Sequence, residues 1–481
     1  MQFNSYIFIL VFLPVFVIGY FLLGRIKNIF GKLFVILAGA VFYAYGGWDA
    51  SFVLLASIIL NYCLAVLITK LRAYGKVMLF IAVTANAALL LYFKYFNFAL
   101  LSIGSVLNRE FQLKDLILPL GISFFTFQQI MYVVSVYREE TGIDLADYLA
   151  YILYFPKLIM GPLVKPAELI SQLNDDRRYR PRAENIAAGL KLFCIGFFKK
   201  MVIADTFSAA AAWGYGNYTA ATSLDMLLVI LFYTFEIYFD FSGYTDMAIG
   251  ISSMINIDLP MNFDSPYKAV SIRDFWKRWH ISLTRFLTEY IYFPLGGSRK
   301  GAARTYVNIM IVFLISGLWH GANYTFILWG ALHGMLQVIE RLAGRAFDKI
   351  AKPIRWLYSF ISVSILWLLF GAGNITQWKD MLVKAFSFKN MTVSDGLLNA
   401  FLLPEMTFMA DFLGLSKITA VHPLYGLTVF AAAAFAICLI PENAHRNMKK
   451  LSALSVAACS IAFVWAFLCL SSESVFVYFN F

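Results

Sequence analysis

Two histidines lie in the stretch SGLWHGANYTFILWGALHG, which runs from Ser316 to Gly334 inside an apolar part of the chain. His320 and His333 are two of only five in 481 residues. An imidazole in hydrocarbon is either a hydrogen-bonded structural group or a reactive one, because a neutral ring in a dry pocket is also what a general base needs. Gly321 and Ala322 follow His320, and their small side chains leave room for a ligand beside the ring. On an unbroken helix His333 would stand about 220° around and about 20 Å along from His320. The two could then share a metal or form a dyad only if the helix breaks.

Two further stretches carry chemistry. SIRDFWKRWHISLTRFLTEYIYFPLGGSRKG begins at Ser271. Read as one helix, it pairs Asp274 with Arg278, puts Trp276 and His280 on one face, and does the same for Arg278 and Arg285. The plain alternative is an amphipathic helix anchored among headgroups by Trp and Arg. FEIYFDFSGYTDMA sets Glu236, Asp240 and Asp246 in one hydrophobic run, with Glu236 and Asp240 sharing a face before Gly243 loosens the chain. Intramembrane carboxylates need partners. Arg273, Arg278 or Arg285 are the expected ones, in a structural ion-pair network, with a proton relay or cation site as the sharper alternative.

The elements that position these residues are membrane spans. The chain is 61% hydrophobic and 14% charged, with a mean hydropathy of +0.72, where a water-soluble surface needs about a quarter of residues charged. Apolar runs of spanning length recur near 5–23, 33–48, 51–69, 77–93, 224–239, 305–319, 354–371, 425–440 and 453–471. The fold class is all-α, a polytopic membrane bundle. MQFNSY before the first run has no basic n-region, so that run reads as an uncleaved span. The net charge of +11 is spread over short loops rather than gathered for nucleic acid. Arg25, Lys27 and Lys32, then Lys70, Arg72 and Lys76, mark alternate loops as cytoplasmic, with the N-terminus outside. The later clusters, Arg177 to Arg182 and Arg341 to Arg355, belong on the same side, facing water and anionic lipid.

Between about 115 and 300 the apolar runs are broken by Pro, Gly and charge at membrane depth, as in ILPLGISFFTFQQ, YFPKLIMGPLVKP and YIYFPLGGSRKG. Broken helices at that depth are buried in protein or line a wet cavity, so re-entrant elements around a site are expected there. Residues 375–424 are more polar and are placed outside. Nothing marks a second domain. The chain is read as one domain over 1–481, with N-terminal spans in 1–110, a core in 111–340 and C-terminal spans in 341–481. The five cysteines show no ligand spacing, so neither disulfides nor a zinc site is indicated. Walker loops and a GxGxxG after a strand are both missing, which argues against ATP-driven pumping or a bound dinucleotide.

Five blocks occur in a fixed order: SFFTFQQIMYVVSVYR, YFPKLIMGPLVKP, FDFSGYTDMAIGISSMINIDLPMNFDSPY, FWKRWHISLTRFLTEYIYFPLGGSRKG and SGLWHGANYTFILWGALHG. In these the chain resembles the membrane-bound O-acyltransferase superfamily, nearest its bacterial alginate O-acetyltransferase-like branch, over nearly its whole length. The resemblance implies about eleven spans plus re-entrant helices around a central tunnel. It implies an O-acyltransferase, specifically an O-acetyltransferase, that moves an acyl group from a cytoplasmic thioester to an extracytoplasmic polysaccharide or cell-wall polymer. Catalysis falls to His320 by match to the WHG block, and a second functional role nearer the donor to His280 by match to the RWH block. Trp319, Asn323, Trp276, Arg278 and Asp240 become candidate substrate and tunnel residues, and His333 is structural. No cofactor or metal is bound; the donor is acetyl-CoA or, alternatively, an acyl-carrier-protein thioester. The partner is an extracytoplasmic serine-hydrolase-like acyltransferase, since this chain has no GxSxG elbow. The location is the bacterial inner membrane. Ser135, Thr284 and Glu289 depart from the usual residues, which weakens the case for alginate itself. On physics alone a transporter or flippase of lipid-linked sugars fits the broken helices and carboxylates too.

Overall fold

A computed structural model describes residues 1–404, 408, 411, 412, 414, 424–471 and 476; His422 and most of 405–423 lie outside the described residues. The described residues are mostly helical, with no strand among them. Five helices are long and apolar enough to cross a membrane: Phe8–Ile26, Trp48–Lys70, Arg72–Leu107, Ala302–His320 and Lys352–Gly371. Of four shorter apolar helices, Asn28–Ala44, Leu424–Leu439 and Ala453–Leu468 coincide with other expected runs, and Ile122–Tyr137 lies in the segment read as broken. The polytopic helical bundle read from hydropathy is the observed architecture.

The chain divides into two compact units, residues 1–193 with 244–261 and 448–452, and residues 194–243 with 262–447 and 453–481. In the first, α1 (Leu13–Ile26) and α2 (Asn28–Ala44) turn at Lys27, whose extended backbone ends one helix and starts the next. Next come α3 (Trp48–Lys70) and α4 (Gly75–Leu107). Each buries one asparagine in the span, Asn61 and Asn86, and the two amides bond reciprocally at 3.2 and 2.6 Å. Polar side chains that satisfy each other in this way hold apolar helices together where lipid offers no hydrophobic drive. The broken segment then follows as α5 (Ile122–Tyr137), α6 (Leu145–Ile152), the four-residue α7 (Phe155–Leu158) and α8 (Pro166–Leu173). Its fully buried Lys157 donates to Gln128 Oε1 at 2.5 Å and lies over the Tyr151 ring.

Two helices pass from one unit into the other. The first, α9 (Ala183–Phe198), runs through a π-helical segment, Lys199–Ala204, into α10 (Asp205–Asn217). The second, α11 (Ser223–Met254), is a single helix of 32 residues. Gly243 therefore does not break α11, contrary to the sequence reading. It is a glycine for lack of space: a Cβ there would meet the Gly196 carbonyl oxygen at 2.8 Å and the Lys200 nitrogen at 3.2 Å.

The second unit continues with α12 (Ile272–Arg278), α13 (Ile281–Leu287), α14 (Ala302–His320), α15 (Tyr324–Ala343), α16 (Arg345–Asp348), α17 (Lys352–Gly371) and α18 (Ile375–Ala385). The hairpin of α14 and α15 is its centre. Gly317 and Gly330 face each other across it. A Cβ on either would sit 2.3 Å from a carbonyl oxygen of the opposite helix, that of Phe326 or Phe313. Small residues at a crossing allow this close approach of backbones.

Candidate active site

The hairpin answers how two histidines on one stretch come together. The helix does break: α14 ends on His320, Gly321 is extended, and Asn323 restarts the chain by accepting a hydrogen bond from the Thr325 N–H at 3.1 Å. An Asn at this N-cap position satisfies one of the orphan donors of the new helix. The room expected beside His320 is filled from within, because a Cβ on Gly321 would lie 2.0 Å from the Phe326 ring.

His320 is buried in a cage of rings, with centroids of Trp319 at 4.9 Å, Phe370 at 5.1 Å and Trp329 at 5.2 Å. Trp319 also faces His280, at 6.2 Å, so one indole joins both candidate histidines. Trp329 likewise joins His320 to His333, at 5.2 and 4.8 Å. The fully buried His333 accepts a hydrogen bond at Nδ1 from Trp276 Nε1, 3.2 Å away. With Nδ1 an acceptor, the neutral ring carries its proton on Nε2. His333 is thus hydrogen-bonded and also a neighbour of His320 through Trp329.

His280 sits at a corner rather than on a helix. Its φ of 44° separates α12 from α13. The expectation that Trp276 and His280, or Arg278 and Arg285, share one helical face is overturned, because α12 stops at Arg278. Asn262 fixes the corner: its carbonyl accepts from the Ile281 N–H at 2.9 Å and its Oδ1 from the Ser282 hydroxyl at 2.6 Å. His280 itself packs edge-on to Phe241 at 4.8 Å.

Three other candidates make bonds that brace the fold. Arg278 does pair with Asp274, Nε to Oδ1 at 2.9 Å, and also reaches the Asp264 carbonyl. Asn323 Nδ2 donates to the Gly373 carbonyl at 2.8 Å, tying the hairpin tip to the end of α17. Asp240 finds its partner in Lys200 at 2.7 Å, and Lys200 also pairs with Asp205 at 2.9 Å. The arginines proposed from sequence are not its partners, because the π-helical segment turns Lys200 toward α11. Among the described residues no cluster of His, Cys, Asp and Glu could hold a metal.

Cavities supply what sequence alone missed. A basic cleft of about 510 Å3 is lined by Arg273, Arg341, Arg355, Ser298 and Thr305, with Glu340 at its wall. Glu340 is held there by the first N–H groups of α12, Ile272 at 2.6 Å and Arg273 at 3.1 Å. A mostly apolar cavity of about 260 Å3 adjoins it, lined by Leu283, Leu287, Ile309, Phe313, Trp276 and Ser316. Arg341 lines both. From Thr305 in the cleft to Ser316 is eleven residues of α14, about 16 Å of rise, and Ser316 is one turn before His320. Thr284 lines this apolar cavity, and Glu289 lines a neighbouring one of about 320 Å3 that also contains Trp276. Ser135 instead bonds Glu140 at 3.2 Å. Of the residues lining these cavities only Trp276 was named from sequence as a candidate substrate or tunnel residue. Arg341 and Ser316 carry no local signal, since one reads as a loop-side cation and the other as a small helix residue.

The profile of the membrane-bound O-acyltransferase family matches residues 138–375. The chain is similar along its length to a peptidoglycan O-acetyltransferase of Helicobacter pylori, 37% identical over 100% of this chain and 97% of that protein. It is 39% identical to a probable alginate O-acetylase of Pseudomonas aeruginosa over 82% of this chain and 76% of that protein. A teichoic acid D-alanyltransferase of Bacillus subtilis is 28% identical over 51% of this chain and 63% of that protein. The chain belongs to the membrane-bound O-acyltransferase family. It is a multi-pass membrane protein and an O-acyltransferase.

Proposed function

We propose that the protein takes an acetyl group from a cytoplasmic thioester and delivers it to a hydroxyl on the outer side of a bacterial inner membrane, with His320 as general base. The observation that carries this reading is the cavity running from Arg341 to Ser316, one turn before His320. Arg273, Arg341 and Arg355 suit the phosphates of acetyl-CoA, or the phosphopantetheine of an acyl-carrier protein, while the apolar cavity suits the uncharged thioester arm. His320 takes the hydroxyl proton as the oxygen attacks the carbonyl carbon. The tetrahedral oxyanion collapses, the carbon–sulfur bond breaks, and the imidazolium returns its proton to the thiolate. Positioned proton transfer of this kind is worth about 10² to 10⁴ in rate. Trp329 is the donor we assign to the oxyanion. Its buried indole N–H has no acceptor among the described residues, and its ring packs on His320. His280, joined through Trp319, supports the site from the donor side.

The acceptor we favour is a cell-wall glycan, because the peptidoglycan O-acetyltransferase matches this chain end to end; alginate-like polysaccharide is the second candidate. Delivery through an extracytoplasmic serine-hydrolase-like partner fits a chain without a nucleophile elbow of its own. Mass spectrometry of ester-linked acetyl groups on cell-wall and secreted glycans, with and without this protein, tests the reading. Loss of acetyl esters in its absence is expected. Unchanged esters together with lost export of a lipid-linked sugar would replace it with the transporter reading.

A further inference from the structure

A second binding site lies in the first unit and shares no residue with those assigned to the reaction. A cleft of about 680 Å3 opens where α1 turns into α2, lined by Arg25, Lys27, Asn28, Asp176, Tyr179 and Arg180 among others. The loop that forms its far wall carries Arg177, Arg178 and Arg180. Two of the three are neutralised locally, Arg177 by Asp175 at 2.9 Å and Arg178 by Asp258 at 2.8 Å. Arg180 is not, and neither Arg25 nor Lys27 has a carboxylate partner among the described residues. Three cations thus face one cleft with a single acidic residue, Asp176, on its wall.

The cleft is held rigidly. Tyr179 fills the hollow left by two glycines, since a Cβ on Gly24 or Gly31 would lie 2.0 or 2.3 Å from its ring. Its hydroxyl bonds the Leu173 carbonyl at 2.8 Å and its ring stacks on Tyr20 at 4.7 Å. Asn256 Nδ2 donates to the Arg180 carbonyl at 2.8 Å, fixing the start of that side chain. Beside the cleft, Leu22, Ile26, Phe30 and Leu33 are 41 to 66% exposed on the outer faces of α1 and α2. In a bilayer an apolar face beneath a cationic cleft meets acyl chains, and clustered Lys and Arg at that level recognise anionic headgroups.

We infer that this cleft is a specific site for an anionic phospholipid, its phosphate held by Arg25, Lys27 and Arg180 and its chains lying along α1 and α2. The shared chemistry is a phosphate anion, and the apolar face assigns it to a lipid rather than to a free phosphate compound.

The test is native mass spectrometry of the delipidated full-length protein in mild detergent, titrated with phosphatidylglycerol, with phosphatidylcholine of the same chains, and with inorganic phosphate. Expected is retention of phosphatidylglycerol in preference to phosphatidylcholine. Each cation removed should weaken retention roughly fivefold, from about 1 kcal/mol per Lys or Arg near the surface. Arg25→Gln/Lys27→Gln/Arg180→Gln should then lose it by about 10²-fold, while Arg25→Lys/Arg180→Lys keeps most of it. For the wild-type protein, retention should also fall as ionic strength rises. Undiminished retention in the triple variant, or no preference over phosphatidylcholine, overturns the inference. Full displacement of the lipid by inorganic phosphate would reassign the cleft to a soluble phosphate ligand.

Discussion

Replacing Gly317 by alanine tests whether helix spacing sets the position of His320. A Cβ at this position would lie 2.3 Å from the Phe326 carbonyl oxygen and 3.3 Å from the Gly330 Cα. Ordinary contact needs about 1 Å more than the shorter of these. The obstructing atoms are backbone, so no side chain can swing aside, and α14 and α15 must part by that amount. Overpacking of this kind costs about 1 to 3 kcal/mol, which a folded span tolerates. Its effect on chemistry is larger. His320 is the last residue of α14 and its neighbour Trp329 belongs to α15, so the parting shifts the base against its cage. A displacement of about 1 Å can cost about 10² in rate. The assay is acyl transfer in membranes, normalised to the amount of monodisperse protein. Gly216→Ala is the control, because its Cβ would meet nothing within 4 Å. Expected is a fall of about 10²-fold for Gly317→Ala, the same direction for Gly330→Ala, and full activity for the control. Wild-type activity in Gly317→Ala would refute the idea that this crossing sets the site.

Three further outcomes follow from the geometry. Lys200→Met removes the lysine side of the buried Lys200–Asp240 pair, and breaking a buried pair from one side costs about 3 to 5 kcal/mol; adding Asp240→Leu should recover much of the lost detergent stability, measured as the unfolding midpoint. Trp276→Phe keeps the ring but removes the N–H bonded to His333 Nδ1, leaving a buried acceptor unpaired at about 1 to 3 kcal/mol, so the same melt should shift downward. Arg341→Gln should raise KM for the thioester donor about tenfold with little change in kcat, the mark of lost ground-state and transition-state binding together, read from donor titrations.

Hydropathy made the spans legible because bilayer thickness dictates their length, and the nine apolar runs correspond to helices. The family was legible through the ordered blocks, and the proposal for His320 rests on its place in one of them. What sequence missed depends on contacts between distant segments. Asp240 was given an arginine partner because arginines lie next along the chain, yet Lys200, 40 residues earlier, reaches it from a π-helical segment that periodicity does not mark. Trp276 and His280 looked like one helical face until the left-handed backbone at His280 divided them. The bond between Trp276 and His333 spans 57 residues. Gly321 looked like space for a ligand, whereas Phe326 five residues later occupies it. Local pattern fixes neither kind of contact.

The most direct measurement is acetyl transfer from a labelled thioester donor in membranes containing His320→Gln, a near-isosteric change that keeps a polar group in the cage but removes the base. The account predicts a rate lower by about 10² to 10⁴ with the protein still folded. Transfer within a few-fold of the wild-type rate would show that the proton is taken elsewhere.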